Sequence, residues 1–364
     1  MTEAMVAAAE HLYLHVPFCG HRCGYCDFVT VTGNGELHGR YVDALIRELR
    51  GAPARPATIF IGGGTPSLLD DALLARLLAA LPACDELTVE CNAETITPAK
   101  AQVLVEGGVS RVSLGAQSFQ PQLLATLERR ATPDRVLQAA RTLRQAGVTN
   151  LNLDLMFGVP GQSAADLAAD LDQALSLVPE HISYYELEAK PGTRFTHRHG
   201  AELERQAEAL EDHYETVVAT LRERGYHWYE TANFCRDGHQ ARHNLGYWEG
   251  RDYLGLGVGA VSTIGLERRR NRPSLRAYLQ AVEAGQAPPA EIELLSPAER
   301  GSERLMLGLR LDRPMPLDGL EWLINPRQLE RMAGAGMLAR EPGGIRLSER
   351  GRFMANDVVS TLLR

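Results

Sequence analysis

From residue 12 to about residue 187, short apolar runs alternate with longer stretches in which apolar positions recur every three or four residues. The short runs at 12–16, 58–61, 87–90, 111–114, 150–157 and 181–187 have the length and composition of strands. The stretches at 37–50, 70–81, 97–106, 121–129, 133–146 and 164–177 carry the helical period. Six strand-then-helix units in succession predict a parallel sheet with right-handed crossovers.

An open doubly wound sheet and a partial barrel share that pattern, so the polar residues have to separate them. Cys19, the run from Gly62 to Thr65, Glu90, Gln117 and Asp154 fall at or just after the C-terminal ends of five successive strands. In a (β/α) barrel those ends converge on one mouth, whereas an open sheet spreads them along an edge. The expected fold is therefore α/β, built on a partial (β/α)6 barrel.

Beyond the sixth unit a long helix is expected at 201–224, then a Gly- and aromatic-rich segment at 225–265 with Trp228, Trp248 and four tyrosines. Residues 285–289 read as a linker. From Ser296 onward, two or three short helices and the hairpin candidate Gly343-Gly344-Ile345-Arg346-Leu347 predict a small helical or winged-helix module. The chain thus divides into a barrel at 1–195, a helical and aromatic-rich extension at 196–290 and a C-terminal domain at 291–364.

Composition narrows the function classes. The 364 residues are 45% hydrophobic and 23% charged, ordinary for a large domain joined to a smaller one. A net charge of −8 argues against a nucleic-acid binder, and the basic run Arg268-Arg269-Arg270-Asn271-Arg272 reads as a solvated loop. No apolar run reaches the roughly 18 residues of a membrane helix, so no transmembrane segment is expected. Met1 to Glu10 lacks the basic start and apolar core of a signal peptide. Six cysteines, three of them within eight residues, make no disulfide framework, and the protein reads as cytoplasmic with reduced thiols.

Cys19, Cys23 and Cys26 follow the first strand in a loop that also carries Gly20 and Gly24. That spacing lets one tight loop point three thiolates at a common centre. Structural zinc takes four ligands, and structural iron–sulfur clusters usually take four cysteines. Three ligands on a cubane leave one iron free for an exogenous chelate. His15 and His21 flank the loop, so a Cys3His zinc site is the competing reading. Cys84, Cys91 and Cys235 stand alone and read as packed thiols.

The run Tyr13-Leu14-His15-Val16-Pro17-Phe18-Cys19, with Cys23 and Tyr25-Cys26 after it, resembles the radical-SAM signature. More narrowly it is similar to the oxygen-independent coproporphyrinogen III oxidase group, and the resemblance covers nearly the whole chain. It implies a [4Fe–4S] cluster on Cys19, Cys23 and Cys26, with S-adenosylmethionine (SAM) at the open iron and Tyr13 and Tyr25 as cofactor contacts. In Gly62-Gly63-Gly64-Thr65-Pro66, it implies that Gly63, Gly64 and Thr65 receive the ammonium end of SAM. Glu90 would meet the ribose hydroxyls or the ammonium, and Gln117 and Asp154 complete the set. Arg129 would grip the SAM carboxylate, with adjacent Arg130 not separable from it by spacing. A charge at Asp154, amid an apolar strand, is costly to bury without a partner or ligand. The chemistry implied needs an external electron donor. The reduced cluster passes one electron to the sulfonium, giving methionine and a hydrogen-abstracting 5′-deoxyadenosyl radical.

Two features point within the group. Phe28 stands where the oxidase resembles Cys-x3-Cys-x2-Cys-x-Cys, and His243-Asn244-Leu245-Gly246-Tyr247-Trp248 is similar to the hallmark of the HemW haem-chaperone branch. Tyr229-Glu230-Thr231-Ala232-Asn233-Phe234 fits that branch too. The resemblance implies that the protein binds haem and delivers it to an acceptor protein. His243 is either an axial haem ligand or a histidine bonded inside a packed Tyr/Trp cluster. Many relatives carry a histidine where this chain has Val261, which leaves Cys235 and His239 as candidate second ligands. The competing functions are oxidative decarboxylation of coproporphyrinogen III and radical methyl transfer with a second SAM.

Overall fold

The computed structural model describes residues 9–53, 55–190 and 194–364, so the expectation that Met1 to Glu10 is no signal peptide falls mostly outside the described residues. Six parallel strands stand side by side in chain order: β1 (His11–Val16), β2 (Thr58–Gly63), β3 (Glu86–Asn92), β4 (Arg111–Gln117), β5 (Leu151–Phe157) and β6 (His181–Glu186). Leu12, Leu14, Ile59, Ile61, Val89, Leu114 and Leu153 bury their side chains in one continuous core. Between the strands run α1 (His38–Glu48), α2 (Asp71–Ala79), α3 (Pro98–Glu106), α4 (Pro121–Thr126), α5 (Pro133–Ala146) and α6 (Ala164–Ser176). The side chains of Asp70, Thr97, Thr132 and Ser163 accept backbone N–H groups at the starts of α2, α3, α5 and α6. Pro98, Pro121 and Pro133 open their helices, where the missing N–H has no intrahelical partner to lose. Every expected unit of the barrel is present, with ends shifted by a few residues.

The sheet continues past those six strands. The single helix expected at 201–224 is two, α7 (Arg194–Gln206) and α8 (Ala209–Glu223). They bury into different places: Phe195 packs with Leu123 and Leu127, while Val217, Val218 and Leu221 join the main core. The aromatic-rich segment then feeds both sheet edges. The strands β7 (His227–Trp228) and β8 (Asn233–Cys235) extend the sheet antiparallel beyond β6. After α9 (Arg242–Trp248), β9 (Tyr253–Leu256) pairs parallel with β1. Three antiparallel strands follow outward, β10 (Val261–Ile264), β11 (Glu267–Asn271) and, beyond α10 (Leu275–Glu283), β12 (Ala290–Leu294). The outer edges β12 and β7 are not neighbours among the described residues, so the twelve-stranded sheet stays open as a partial barrel.

Two expectations are corrected here. The basic run at 268–272 is not a solvated loop but largely β11, with Arg268 paired to Glu303 at 2.6 Å. The linker at 285–289 does lead out of α10, but β12 returns to pair with β11, so the sheet extends past the expected boundary at 290.

The remainder forms its own core. The helices α11 (Pro297–Gly308), α12 (Pro326–Gly334), α13 (Glu349–Phe353) and α14 (Ala355–Leu362) enclose Leu305, Leu309, Ile324, Leu347 and Leu362. The expected hairpin is β13 (Leu338–Glu341) with β14 (Gly344–Leu347), turned at Pro342-Gly343, where Gly343 takes φ 97°. No helix among the described residues is long and apolar enough to cross a membrane.

Candidate cofactor site

The C-terminal ends of β1 to β6 converge on a cavity of about 510 Å³. It is walled by the cysteine loop, Gly63 to Thr65, Glu90 and Asn92, Gln117, Arg129 and Asp154, which is the convergence a barrel requires.

The cysteine loop is pinned at its base. Cys19 N–H donates to Val31 O at 2.9 Å, Val31 N–H to Pro17 O at 2.8 Å, and Thr65 N–H to Phe18 O at 2.7 Å. The glycines at and just past the end of β2 serve this packing first. A Cβ on Gly63, whose φ is 107°, would collide with the His15 ring, and one on Gly64 would stand 2.6 Å from the Pro17 carbonyl carbon. Cys19, Cys23 and Cys26 are half-buried on the cavity wall. Among the described residues no three His, Cys, Asp or Glu side chains converge tightly enough to hold a single ion, these cysteines included. A cubane holds its thiolates farther apart than one ion does, and the wall they share suits the larger group. Of the two histidines in the Cys3His alternative, His15 is occupied, buried with Nε2 on Val29 O at 2.7 Å and Nδ1 on Tyr13 OH at 3.0 Å, whereas His21 lines the cavity with Nε2 3.9 Å from Glu128 Oε2.

Tyr13 stands apart from that wall. Its hydroxyl is bonded to His15 and its ring stacks on Phe60, outside the cavity wall. Tyr25 does line the cavity, edge-on to Phe195, and burial raises its phenol.

Spacing left Arg129 and Arg130 undivided. The structure separates them: Arg130 is exposed, whereas Arg129 lines the cavity. Arg129 Nη2 donates to Asn92 Oδ1 at 2.8 Å and to Gly115 O at 3.2 Å, and Nη1 lies 3.8 Å from Cys23 Sγ. Its Nε is buried without a partner among the described residues, an orphaned donor that a bound anion would satisfy. Asn92, absent from the sequence expectation, is the hub of this corner. Its Nδ2 donates to Thr65 Oγ1 at 2.8 Å, and that hydroxyl faces Cys19 Sγ at 3.7 Å. The two-residue period was the available signal, because Asn92 follows Glu90 on the same face of β3.

Two carboxyls lie deeper. Gly63 N–H donates to Glu90 Oε2 at 3.0 Å, yet burial, with Asp154 adding repulsion, lifts Glu90 to about 7. Among the described residues Asp154 meets no cation in an ion pair; it accepts from Ser113 Oγ at 3.0 Å and Asn152 Nδ2 at 2.8 Å, and burial raises it. Behind it a buried chain continues, His181 Nδ1 to Asn152 Oδ1 at 2.6 Å and Tyr229 OH to His181 Nε2 at 2.7 Å. It ends at Ala241 N–H, the residue before α9, which donates to the Tyr229 oxygen at 3.3 Å. Gln117 reaches the cavity from a register shift in β4, with φ 64°, a region that non-glycine residues enter only when their surroundings impose it.

His243 is not an open ligand. Its ring lies under the opposite, N-terminal end of the strands, 1% exposed, with Nδ1 on Thr58 Oγ1 at 2.7 Å and Nε2 on Tyr247 OH at 2.9 Å. Phe60 and His11 pack against it, and burial depresses its pKa to about 3. An iron approaching either nitrogen would have to displace one of those hydroxyls, so the packed alternative is the one observed, with Phe and Tyr rather than Trp around the ring. Cys235 offers no second ligand, being fully buried in β8 with its thiol pushed up to about 12. Cys91 is likewise buried and raised to about 12. Phe28 projects at the cavity mouth, 62% exposed.

Comparison with known proteins agrees with this arrangement. The Radical SAM superfamily model matches residues 13–174 and the HemN C-terminal domain model matches residues 295–354. Heme chaperone HemW of Mycobacterium tuberculosis (strain ATCC 25618 / H37Rv) is 38% identical over 368 residues, covering 97% of this chain and 94% of its own length. Heme chaperone HemW of Bacillus subtilis (strain 168) is 32% identical over 380 residues, 96% of this chain and 98% of its own. Among solved structures, coproporphyrinogen III oxidase (HemN) from Escherichia coli superposes with a TM-score of 0.84 at 22% identity, over 99% of this chain and 92% of that one. That last likeness speaks for the fold alone.

Proposed function

This chain belongs to the HemW family of radical-SAM proteins, and from that premise we propose that it is a haem chaperone, binding haem beside a SAM-ligated [4Fe–4S] cluster and delivering it to acceptor proteins. The observation that carries the cofactor half is the cavity itself: three thiols of one loop share its wall with an arginine whose buried Nε has no partner. Bound there, the cluster and SAM supply one-electron reductive chemistry, for which an external donor provides the electron.

Each residue has a place in that reading. Cys19, Cys23 and Cys26 hold iron as thiolates. Arg129, aligned by Asn92 and Gly115, turns its free donors to the SAM carboxylate. Glu90 takes the ammonium or the ribose hydroxyls, Asp154 and Gln117 bound the far side, and Gly63, Gly64 and Thr65 allow close approach. Tyr25 closes the wall against water. Phe28, an exposed phenyl in place of a fourth cysteine at the mouth, favours the chaperone over the oxidase. A cytoplasmic location fits the six unpaired cysteines.

The test of the haem half is a titration followed by the Soret band. Wild-type protein should bind about one haem per chain and pass it to an apo-acceptor on mixing. Failure to bind haem at all, in protein carrying an intact cluster, would remove the chaperone reading and leave the cofactor site standing.

A further inference from the structure

We propose that Asp170, on α6 outside the cavity, is the residue that fixes Gln117 in position against SAM; the inference rests on the reading that SAM occupies this cavity. Gln117 sits at φ 64° after the register shift between Gly115 and Gln117, so something must hold it there. Gln117 still pairs with Leu155 of β5, and Ser118 N–H closes back on Ala116 O at 2.8 Å, so it is the turn leaving the sheet at Ser118 that has to be held. The next three residues are all bonded to Asp170. Ser118 Oγ donates to Oδ2 at 2.7 Å, Phe119 N–H to Oδ1 at 2.7 Å, and Gln120 Nε2 to Oδ1 at 3.1 Å. Ser118 Oγ in turn accepts from Gln120 N–H at 2.9 Å, which closes the turn on itself.

Asp170 is fully buried, and among the described residues no Lys or Arg forms an ion pair with it. Burying a carboxylate is costly unless hydrogen bonds compensate. Among the described residues, the compensating donors all belong to the turn that follows Gln117. The rest of α6 does not depend on this contact: Leu167, Leu171 and Ala174 anchor it in the core, and a capping box of Ser163 with Asp166 starts it. Its position inside an otherwise amphipathic helix face hides Asp170 from any motif search, since nothing local marks it as part of the site.

The experiment is a double-mutant cycle read as SAM affinity in cluster-loaded protein, with iron content and thermal midpoint measured alongside. Asp170→Ala should lower SAM affinity about tenfold or more without losing iron, as expected for hydrogen bonds to a charged group. Asp170→Asn, which keeps an acceptor for Phe119 N–H, should recover most of the affinity. In a Gln117→Ala background, Asp170→Ala should cost little further, because its effect passes through Gln117. Should Asp170→Ala not fold, Ser118→Ala removes one donor and should show a smaller loss of the same kind. Wild-type SAM affinity in Asp170→Ala, or losses that simply add to those of Gln117→Ala, would overturn the proposal while leaving the SAM site intact. Wild-type protein that holds its cluster but takes up no SAM would overturn the SAM reading and this inference together.

Discussion

Arg129 donates to Asn92 across 2.8 Å, and through that contact the arginine three residues past α4 is tied to the cysteine loop. Asn92 passes the connection to Thr65, whose hydroxyl faces Cys19, so the anion-binding and cluster-binding corners share one hydrogen-bonded frame. Removing Asn92 should therefore loosen the guanidinium rather than the iron. Asn92→Ala is expected to weaken SAM binding about tenfold, and Arg129→Ala by about 1.5–3 kcal/mol, roughly 10- to 150-fold. Iron content should be unchanged in both. SAM titration beside an iron assay checks this, and loss of iron with unchanged SAM affinity would contradict it.

The cysteines divide cleanly. Replacing Cys19, Cys23 or Cys26 by Ala should abolish stable cluster loading after anaerobic reconstitution, whereas wild type should hold about four irons. Cys91→Ala and Cys235→Ala should keep the cluster, because both thiols are buried and raised to about 12. One equivalent of tightly bound zinc in wild type, with no iron after reconstitution, would sink the cluster assignment.

Glu90 predicts a pH dependence of SAM affinity. Burial raises its carboxyl to about 7, while an ammonium or hydroxyl of SAM favours the ionised form. SAM binding must then expel a proton below that value, so affinity should rise as pH climbs from 5 to 7, by at most about tenfold per unit, and level off above. Glu90→Gln should flatten the profile. A wild-type profile already flat across that window would contradict the placement of Glu90.

His243 predicts acid sensitivity of the fold. Its pKa falls from 6.5 to about 3 on burial, so the unfolded chain binds the extra proton and stability is lost as pH drops below about 6.5. The loss attributable to this residue is about 1.4 kcal/mol per pH unit at most. His243→Ala should lower the thermal midpoint at pH 7, because Thr58 and Tyr247 lose a buried partner, and should reduce the slope between pH 6.5 and 5. Tyr247→Phe should lower the midpoint less. Thermal unfolding across that pH range decides it; an unchanged midpoint in His243→Ala would mean the ring is not packed as described.

What the sequence revealed and what it hid follow from the range of the interactions. Strands β1 to β6 and their helices were legible because hydrophobic period and capping residues are local signals. The edge strands were not: β9 pairs with β1 from more than 240 residues away, and β12 alternates acidic and apolar residues while exposing Ile292 and Leu294. The helix break between Gln206 and Ala209 was masked by a continuous helical period on both sides. Arg129 was legible as a type of residue at a motif distance, but only the fold could choose it over Arg130. The role of His243 depended on Thr58 and Tyr247, and no spacing rule shows that both its nitrogens are already bonded.

The division between chaperone and oxidase rests on Phe28 at the cavity mouth and on the family the chain belongs to, and one assay addresses it most directly. Wild-type protein with a full cluster, supplied with SAM and a strong reductant, is incubated with coproporphyrinogen III and its products are separated by chromatography. The account predicts no decarboxylated product from the same preparation that binds haem. Sustained conversion to protoporphyrinogen IX would contradict it and make the protein an oxidase.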